Sequence, residues 1–201
     1  TVTYGFSDDA DYRLADYQCE AMLSAFNLYC PGQQAPVHVV LSMPGKHNAL
    51  NAAAAFALAR EEGIETGIIL QALAKFQGVG RRFQVADQLK VNDAAFTLVD
   101  DYGHHPREVA ATIAAARDSW SERRLVMVFQ PHRYTRTHDL YDDFVAVLES
   151  VDLLILLDVY AAGENPIHGA SSRDLAKSIR QRGACDPIYV DEQQDLNTVL
   201  R

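Results

Sequence analysis

The 201 residues predict an α/β protein whose second half carries a mostly parallel sheet with helices on both faces, and three observations support that prediction. From residue 94 onward apolar runs alternate with helical patterns, the order that builds parallel sheets through crossover helices. Two of those runs, Leu-Val-Met-Val-Phe at 125–129 and Leu-Leu-Ile-Leu-Leu at 153–157, lack polar alternation, as strands buried on both faces do. A Gly-rich stretch at 77–82 separates this region from a different first half, and composition shifts of that kind mark domain boundaries.

Taken in order, 1–6, 25–29 and 37–41 read as short strands set off by turn signals, among them Pro31-Gly32 and Pro44-Gly45, so the first part looks like hairpins. An Ala-rich helix follows from Lys46 to Arg60, with Leu50, Ala54, Ala57 and Leu58 on one face and Gly63 as its C-cap. A second helix is expected over 65–76 and a strand around 83–85. Beyond the boundary the expected elements are a buried strand 94–99, a helix 106–119, a strand 125–129 and a helix 140–148. A strand 153–159, a helix 172–180 and a strand 187–190 complete the series.

Composition narrows the function classes. Eighteen Lys and Arg against 27 Asp and Glu give a net charge of -9, which argues against a nucleic-acid partner while leaving room for local basic clusters that meet small anions. Three cysteines without motif spacing fit a reducing cytoplasm and carry no disulfide or metal signature. No apolar run approaches the ~20 residues of a membrane span, so no membrane partner is expected. The strand-like pattern from the first residue suggests a chain that begins inside a fold.

The densest chemistry is Val-Asp-Asp-Tyr-Gly-His-His-Pro at 99–106. It lies between a strand and a helix, at the kind of sheet edge where ligands bind. Asp100 and Asp101 can accept ribose hydroxyls, or make an Asx turn or helix cap. His104 and His105 can be metal ligands, proton carriers or caps; His105, directly before Pro106 and three residues from Glu108, suits a capping box. After the next strand, Gln-Pro-His-Arg-Tyr-Thr-Arg-Thr at 130–137 brings Arg133 and Arg136 to the same type of edge. Their guanidinium forks match phosphate or carboxylate, and the loop position favours an anion site over a solvated pair. Gly-Lys-His-Asn-Ala-Leu-Asn at 45–51 places Asn48 and Asn51 on one helix face, where two amides can read a purine edge or serve as N-cap and first-turn residue. The Gly-Lys pair lacks the remainder of a P-loop. Arg81 and Arg82 lie on the linker, and 160–166 reads as a turn in which Glu164 has the option of ordering a site.

In this order and spacing, the segments at 44–51, 80–83, 98–106, 129–137 and 158–166 resemble the Mur ligases of peptidoglycan synthesis, most closely the alanine-adding branch. The likeness spans the whole chain, but the family's N-terminal UDP-binding domain and P-loop are absent from it. The resemblance implies that 1–80 is the back part of an α/β central ATPase domain and 81–201 a C-terminal Rossmann-like domain. It implies ATP and Mg²⁺, with UDP-N-acetylmuramate and L-alanine as substrates: a muramate carboxylate is phosphorylated, the alanine amine attacks the acyl phosphate, and phosphate leaves. Fixed cations suit that chemistry better than a covalent nucleophile. By resemblance His47, Asn48 and Asn51 face the adenine, and Arg82 and Asp101 the phosphate and ribose. Tyr102, His104, Arg133 and Arg136 face the amino acid and acyl phosphate, in a site completed by domain closure. By itself this piece is expected to have little or no ligase activity. Two other readings stay open: a metal-dependent phosphoesterase using Asp100, Asp101, His104, His105 and His132, and a non-catalytic nucleotide-binding module.

Overall fold

A computed structural model describes residues 1–20, 22–91, 94–191 and 196–199. They divide into two compact units: Thr1–Val85, Val99–Asp101 and Ala114–Glu122 form the first, and the remainder forms the second.

In the first unit β1 (Tyr4–Gly5) pairs parallel with β2 (Tyr12–Glu20), which pairs antiparallel with β3 (Leu23–Tyr29), which pairs antiparallel with β4 (Val37–Leu41). Period-2 alternation turns Tyr12, Leu14, Phe26, Leu28, Val39 and Leu41 to one face. Onto that face pack Ala49, Ala52, Ala53 and Phe56 of α1 (Lys46–Glu61) and Ile69 of α2 (Thr66–Lys75). The run of alanines lets α1 lie close to the sheet. Gly63, at φ 81°, ends α1 as expected: its N–H donates to Arg60 O at 3.0 Å and that of Ile64 to Ala59 O at 3.0 Å, a Schellman pair. Two expectations fail here. The strand at 1–6 shrinks to two residues, and the nine-residue β2 is unanticipated because a bulge between Ala15 and Gln18, with Asp16 at φ 54°, interrupts its alternation.

The second unit is built on β7 (Val126–Phe129), β8 (Leu153–Leu157) and β9 (Ile188–Val190), all parallel and in that order. Leu154 and Leu156 face a core shared with α3 (Pro106–Ser119), α5 (Tyr141–Leu148) and α6 (Ser172–Arg182). Ile155 and Leu157 face the opposite side, with Val190 and with Leu196 and Val199 of α7 (Leu196–Val199). Helices therefore cover both faces of β8, as its unbroken apolar run predicts. The matching expectation for β7 is corrected: Val126 and Val128, on one face of the strand, are each 42% exposed, because that face is left uncovered and only Phe129, on the other face, is buried. The strand at 94–99 is corrected too. As β6 (Ala94–Asp100) it pairs with β5 (Gln84–Val91) in a separate two-stranded sheet, leaving Phe96 and Leu98 exposed. β5 extends well past the strand expected at 83–85, and a short helix, α4 (Tyr134–Asp139), precedes α5 where none was anticipated.

Candidate functional site

Two clusters of polar side chains form, one within each unit. In the first, Gly45 stands at φ 98°, and a Cβ there would come within 2.7 Å of the His47 ring. Only glycine permits both that backbone and that approach. The Gly45 N–H donates to Tyr17 Oη at 2.9 Å, and Ser24 Oγ, beside that phenol, donates to Met43 O at 2.7 Å. The loop that launches α1 is thus pinned from the sheet. Gly45 is the N-cap, which corrects the reading of Asn48 in that role. Asn48 Nδ2 donates back to Pro44 O at 2.7 Å, so its amide locks the helix start while Oδ1 and the second Nδ2 hydrogen remain for a ligand. Asn51 is exposed one turn on.

Arg82 projects from a tight turn flanked by left-handed Arg81 and Phe83, at φ 60° and 47°. Asp101 Oδ2 accepts the Phe83 N–H at 2.8 Å, and the buried Phe83 ring stacks on Trp120 at 6.3 Å. Asp101 therefore anchors this turn as well as bringing a carboxylate to the cluster. Burial holds His47 below the ordinary histidine value; Asp101 opposes that and Arg82 adds to it. His47, Arg82 and Asp101 are thus electrostatic neighbours, far apart in sequence.

The second cluster gathers at the carboxyl ends of β7 and β8. His105 caps α3: its Nδ1 accepts from Arg107 N–H at 3.2 Å, and Glu108 Oε2 accepts the N–H groups of His104 and His105 at 3.0 and 3.1 Å. Glu108 thus supplies its half of the capping box expected from the sequence, while the His105 ring takes the N–H of Arg107 instead of that of Glu108, and together they fix the backbone that presents His104. Tyr102 meets His104 edge-on at 5.5 Å, His104 lies 6.3 Å from His132, and His132 stacks on Tyr160 at 5.2 Å. Four rings from three loops form one row. The loops after β7 and β8 are joined by main-chain bonds: Arg133 N–H donates to Tyr160 O and Tyr160 N–H to Pro131 O, each at 2.8 Å.

Arg133, the N-cap of α4, sits at φ 75°, a conformation that costs an L-residue about 1–3 kcal/mol and clusters at functional sites. Its guanidinium pairs with Glu164 at 3.5 Å, while Arg136 Nη1 donates to His132 O at 3.1 Å. Glu164 also accepts from Thr135 N–H at 2.9 Å and Thr135 Oγ1 at 2.8 Å. Those bonds, with Arg133 beside them, hold its carboxyl below the usual range. Desolvation lowers His132, and Arg136, Arg133 and His104 push it the same way against Glu164; the ring is therefore neutral at pH 7. Residues 160–166 do form a turn, with Ala162 at φ 50° and Gly163 at φ 86°, and within it Glu164 pairs with Arg133. Tyr160 and Glu164 are what sequence reasoning underweighted. Their signal was position, since their loop follows β8 as the arginine loop follows β7.

Comparison with known proteins completes the picture. The family profile described as Mur ligase, glutamate ligase domain, matches residues 81–200. The chain belongs to the Mur ligase family. Among solved Mur ligases, UDP-N-acetylmuramate-alanine ligase MurC from Thermotoga maritima superposes with a TM-score of 0.80 and 26% identity, over 100% of this chain and 41% of its own. MurF from Acinetobacter baumannii gives 0.68 at 18% identity over 99% and 39%. MurF from Thermotoga maritima, solved in complex with ADP, gives 0.62 at 17% over 100% and 47%. The chain thus spans less than half the length of these relatives.

The resemblance implies Mg²⁺ without assigning it a ligand in this chain. Among the described residues no group of three or more His, Cys, Asp or Glu side chains is arranged to hold a metal ion. Asp101 receives a main-chain N–H, and Glu108 and Glu164 are occupied at helix starts. Asp100, Asp101, His104, His105 and His132 form no such group. No helix among the described residues is long and apolar enough to cross a membrane.

Proposed function

We propose that the polypeptide carrying this chain is an ATP-dependent, cytoplasmic amide-bond ligase that joins L-alanine to UDP-N-acetylmuramate through an acyl phosphate. Residues 1–80 belong to its central ATPase domain and 81–201 form its C-terminal domain. The observation that carries this reading is the convergence of Tyr102, His104, His132, Arg133 and Arg136 at one strand end. Similarity to an alanine-adding ligase along the whole chain supports it. Arg133 and Arg136 bind the alanine carboxylate and steady negative charge on the tetrahedral centre, while Tyr102 and His104 orient the amine. In the other cluster His47, Asn48 and Asn51 face the adenine, with Arg82 and Asp101 toward the phosphates and ribose. The 201 residues contain no Gly-Lys-Ser/Thr phosphate loop, so ligase activity needs the remainder of a Mur ligase joined to them.

The test uses that full-length polypeptide, with phosphate release measured in the presence of UDP-N-acetylmuramate and ATP. L-alanine is expected to trigger turnover, and His104→Ala to reduce it at least about a hundredfold, within the range for removing one orienting or proton-handling group, with ATP affinity retained. Phosphate release indifferent to L-alanine overturns the substrate assignment. Unchanged turnover in His104→Ala overturns the role of that residue.

A further inference from the structure

We propose that Glu164 determines specificity: by standing against Arg133 it sets the charge of the strand-end anion site at about +1, so that the site admits an amino acid with one carboxylate and rejects a dianion. The proposal rests on the reading of Arg133 and Arg136 as the carboxylate clamp.

The charges that face this site are few. Arg133 and Arg136 bring two positive charges and Glu164, 3.5 Å from the Arg133 guanidinium, removes one. His132, held neutral between its arginine neighbours and the Tyr160 ring, adds none. On the other flank Glu108 Oε2, 3.6 Å from His104 Nδ1, is taken up by the His104 and His105 N–H groups at the start of α3 and stands outside this count. Glu164 cannot swing away without cost, because its two oxygens are held by Thr135 N–H and Thr135 Oγ1 and its side chain is only 19% exposed. Its backbone is equally constrained, since Glu164 N–H donates to Ala161 O at 3.0 Å in the turn that follows β8. Two bare arginines would match a phosphate dianion or a dicarboxylate. Two arginines with a built-in carboxylate match a single carboxylate, the only net-negative group on an amino acid with an uncharged side chain.

Glu164→Gln is the discriminating substitution, because the amide still accepts from Thr135 N–H while the charge is lost. Two unit charges some 6–8 Å apart at a partly exposed site interact by enough to change a binding ratio about tenfold. In the full-length ligase, the ratio of kcat/KM for L-alanine to that for L-glutamate is expected to fall about tenfold in Glu164→Gln, and Glu164→Asp is expected to recover most of it. A ratio that stays fixed while turnover falls for both amino acids assigns Glu164 a purely structural role and overturns the proposal. A second arm is independent of ligase turnover: calorimetric titration of the same protein with acetate and with inorganic phosphate. There the substitution is expected to improve phosphate over acetate about tenfold, and an unchanged preference overturns the charge argument. A wild-type protein without alanine-dependent turnover defeats the ligase reading alone, and the anion titration still decides the role of Glu164.

Discussion

The two clusters use one device for different ends. In the first unit a carboxylate, Asp101, holds a left-handed residue, Phe83, by its main-chain N–H. In the second, Glu164 holds the turn that begins at left-handed Arg133. Phe83 then buries its ring against Trp120, so the strain is offset by packing, whereas Arg133 keeps a half-exposed guanidinium. The first cluster is a socket shaped by glycine, main chain and burial. The second is a charged edge whose side chains hold one another. A socket defines its shape before a ligand arrives; a charged edge defines a sign and a magnitude of charge, and so selects by electrostatics.

The sharpest way to break this comparison is through the cores that support each cluster. Phe56 and Phe144 are both fully buried, and the two cores to which they belong share no residue. Truncating either ring to Ala is expected to cost about 3–5 kcal/mol, read from urea unfolding. Hydrogen exchange should place the loss of Phe56→Ala in β2, β3 and β4, and that of Phe144→Ala in β7 and β8. Loss of protection in both units from either substitution would show that the clusters do not rest on separate cores.

The two histidines offer a finer test. Burial depresses both His47 and His132, but the charged neighbours of His47 oppose one another, Asp101 against Arg82, while three of the four around His132 push it down. Raising salt to ~1 M, which screens exposed charges beyond about 3 Å, is therefore expected to move His132 up toward its ordinary value and to leave His47 where it is, by NMR titration of the rings. Linkage follows for both rings with the same sign. Because the folded pKa of His47 is depressed, the unfolded chain takes up the proton first as pH falls. The stability contributed by the neutral ring is full above the ordinary histidine value and is lost as pH drops from there through the folded value. His47→Gln should flatten the urea midpoint between pH 7.5 and 5; an undiminished slope would place the titrating group elsewhere.

How much of this was legible in the sequence follows the range of the interactions. Local signals were read well: Gly63 closes α1, and Pro106 with Glu108 opens α3. The apolar run 153–157 reported a strand buried on both faces because both sides of β8 are covered. The same argument failed for 126–129, since an apolar run does not say whether both faces find a partner. The sheet-edge argument that set 99–106 beside 130–137 rested on β6 joining the sheet of β7, which it does not. The His104 and His132 rings nevertheless meet, through the start of α3. α4 was missed because the carboxylate that closes its first turn lies 29 residues away, at Glu164. No local pattern announces that contact, and nothing in the letter Arg announces a positive φ.

That positive φ yields the smallest effect and the most pointed one. Every main-chain bond at Arg133 survives replacement by Gly: its N–H on Tyr160 O, and its carbonyl accepting from Thr137 N–H and Oγ1. Glycine relieves backbone strain of about 1–3 kcal/mol. Against this stand the greater freedom of glycine in the unfolded chain, about 0.5–1 kcal/mol, and an ion pair with Glu164 that, at a half-exposed guanidinium, is worth about 1 kcal/mol at most. Arg133→Gly is therefore expected to leave stability unchanged or to raise it by about 1 kcal/mol, while weakening the use of L-alanine by the full-length ligase. The same replacement at Phe83 would relieve similar strain but delete a buried, stacked ring, so it should destabilise. Opposite signs at two left-handed positions are what separate a charged edge from a packed socket. Thermal and urea unfolding of the two variants measure both signs, and a loss of more than about 1 kcal/mol in Arg133→Gly would mean that its guanidinium supports the fold as much as the site.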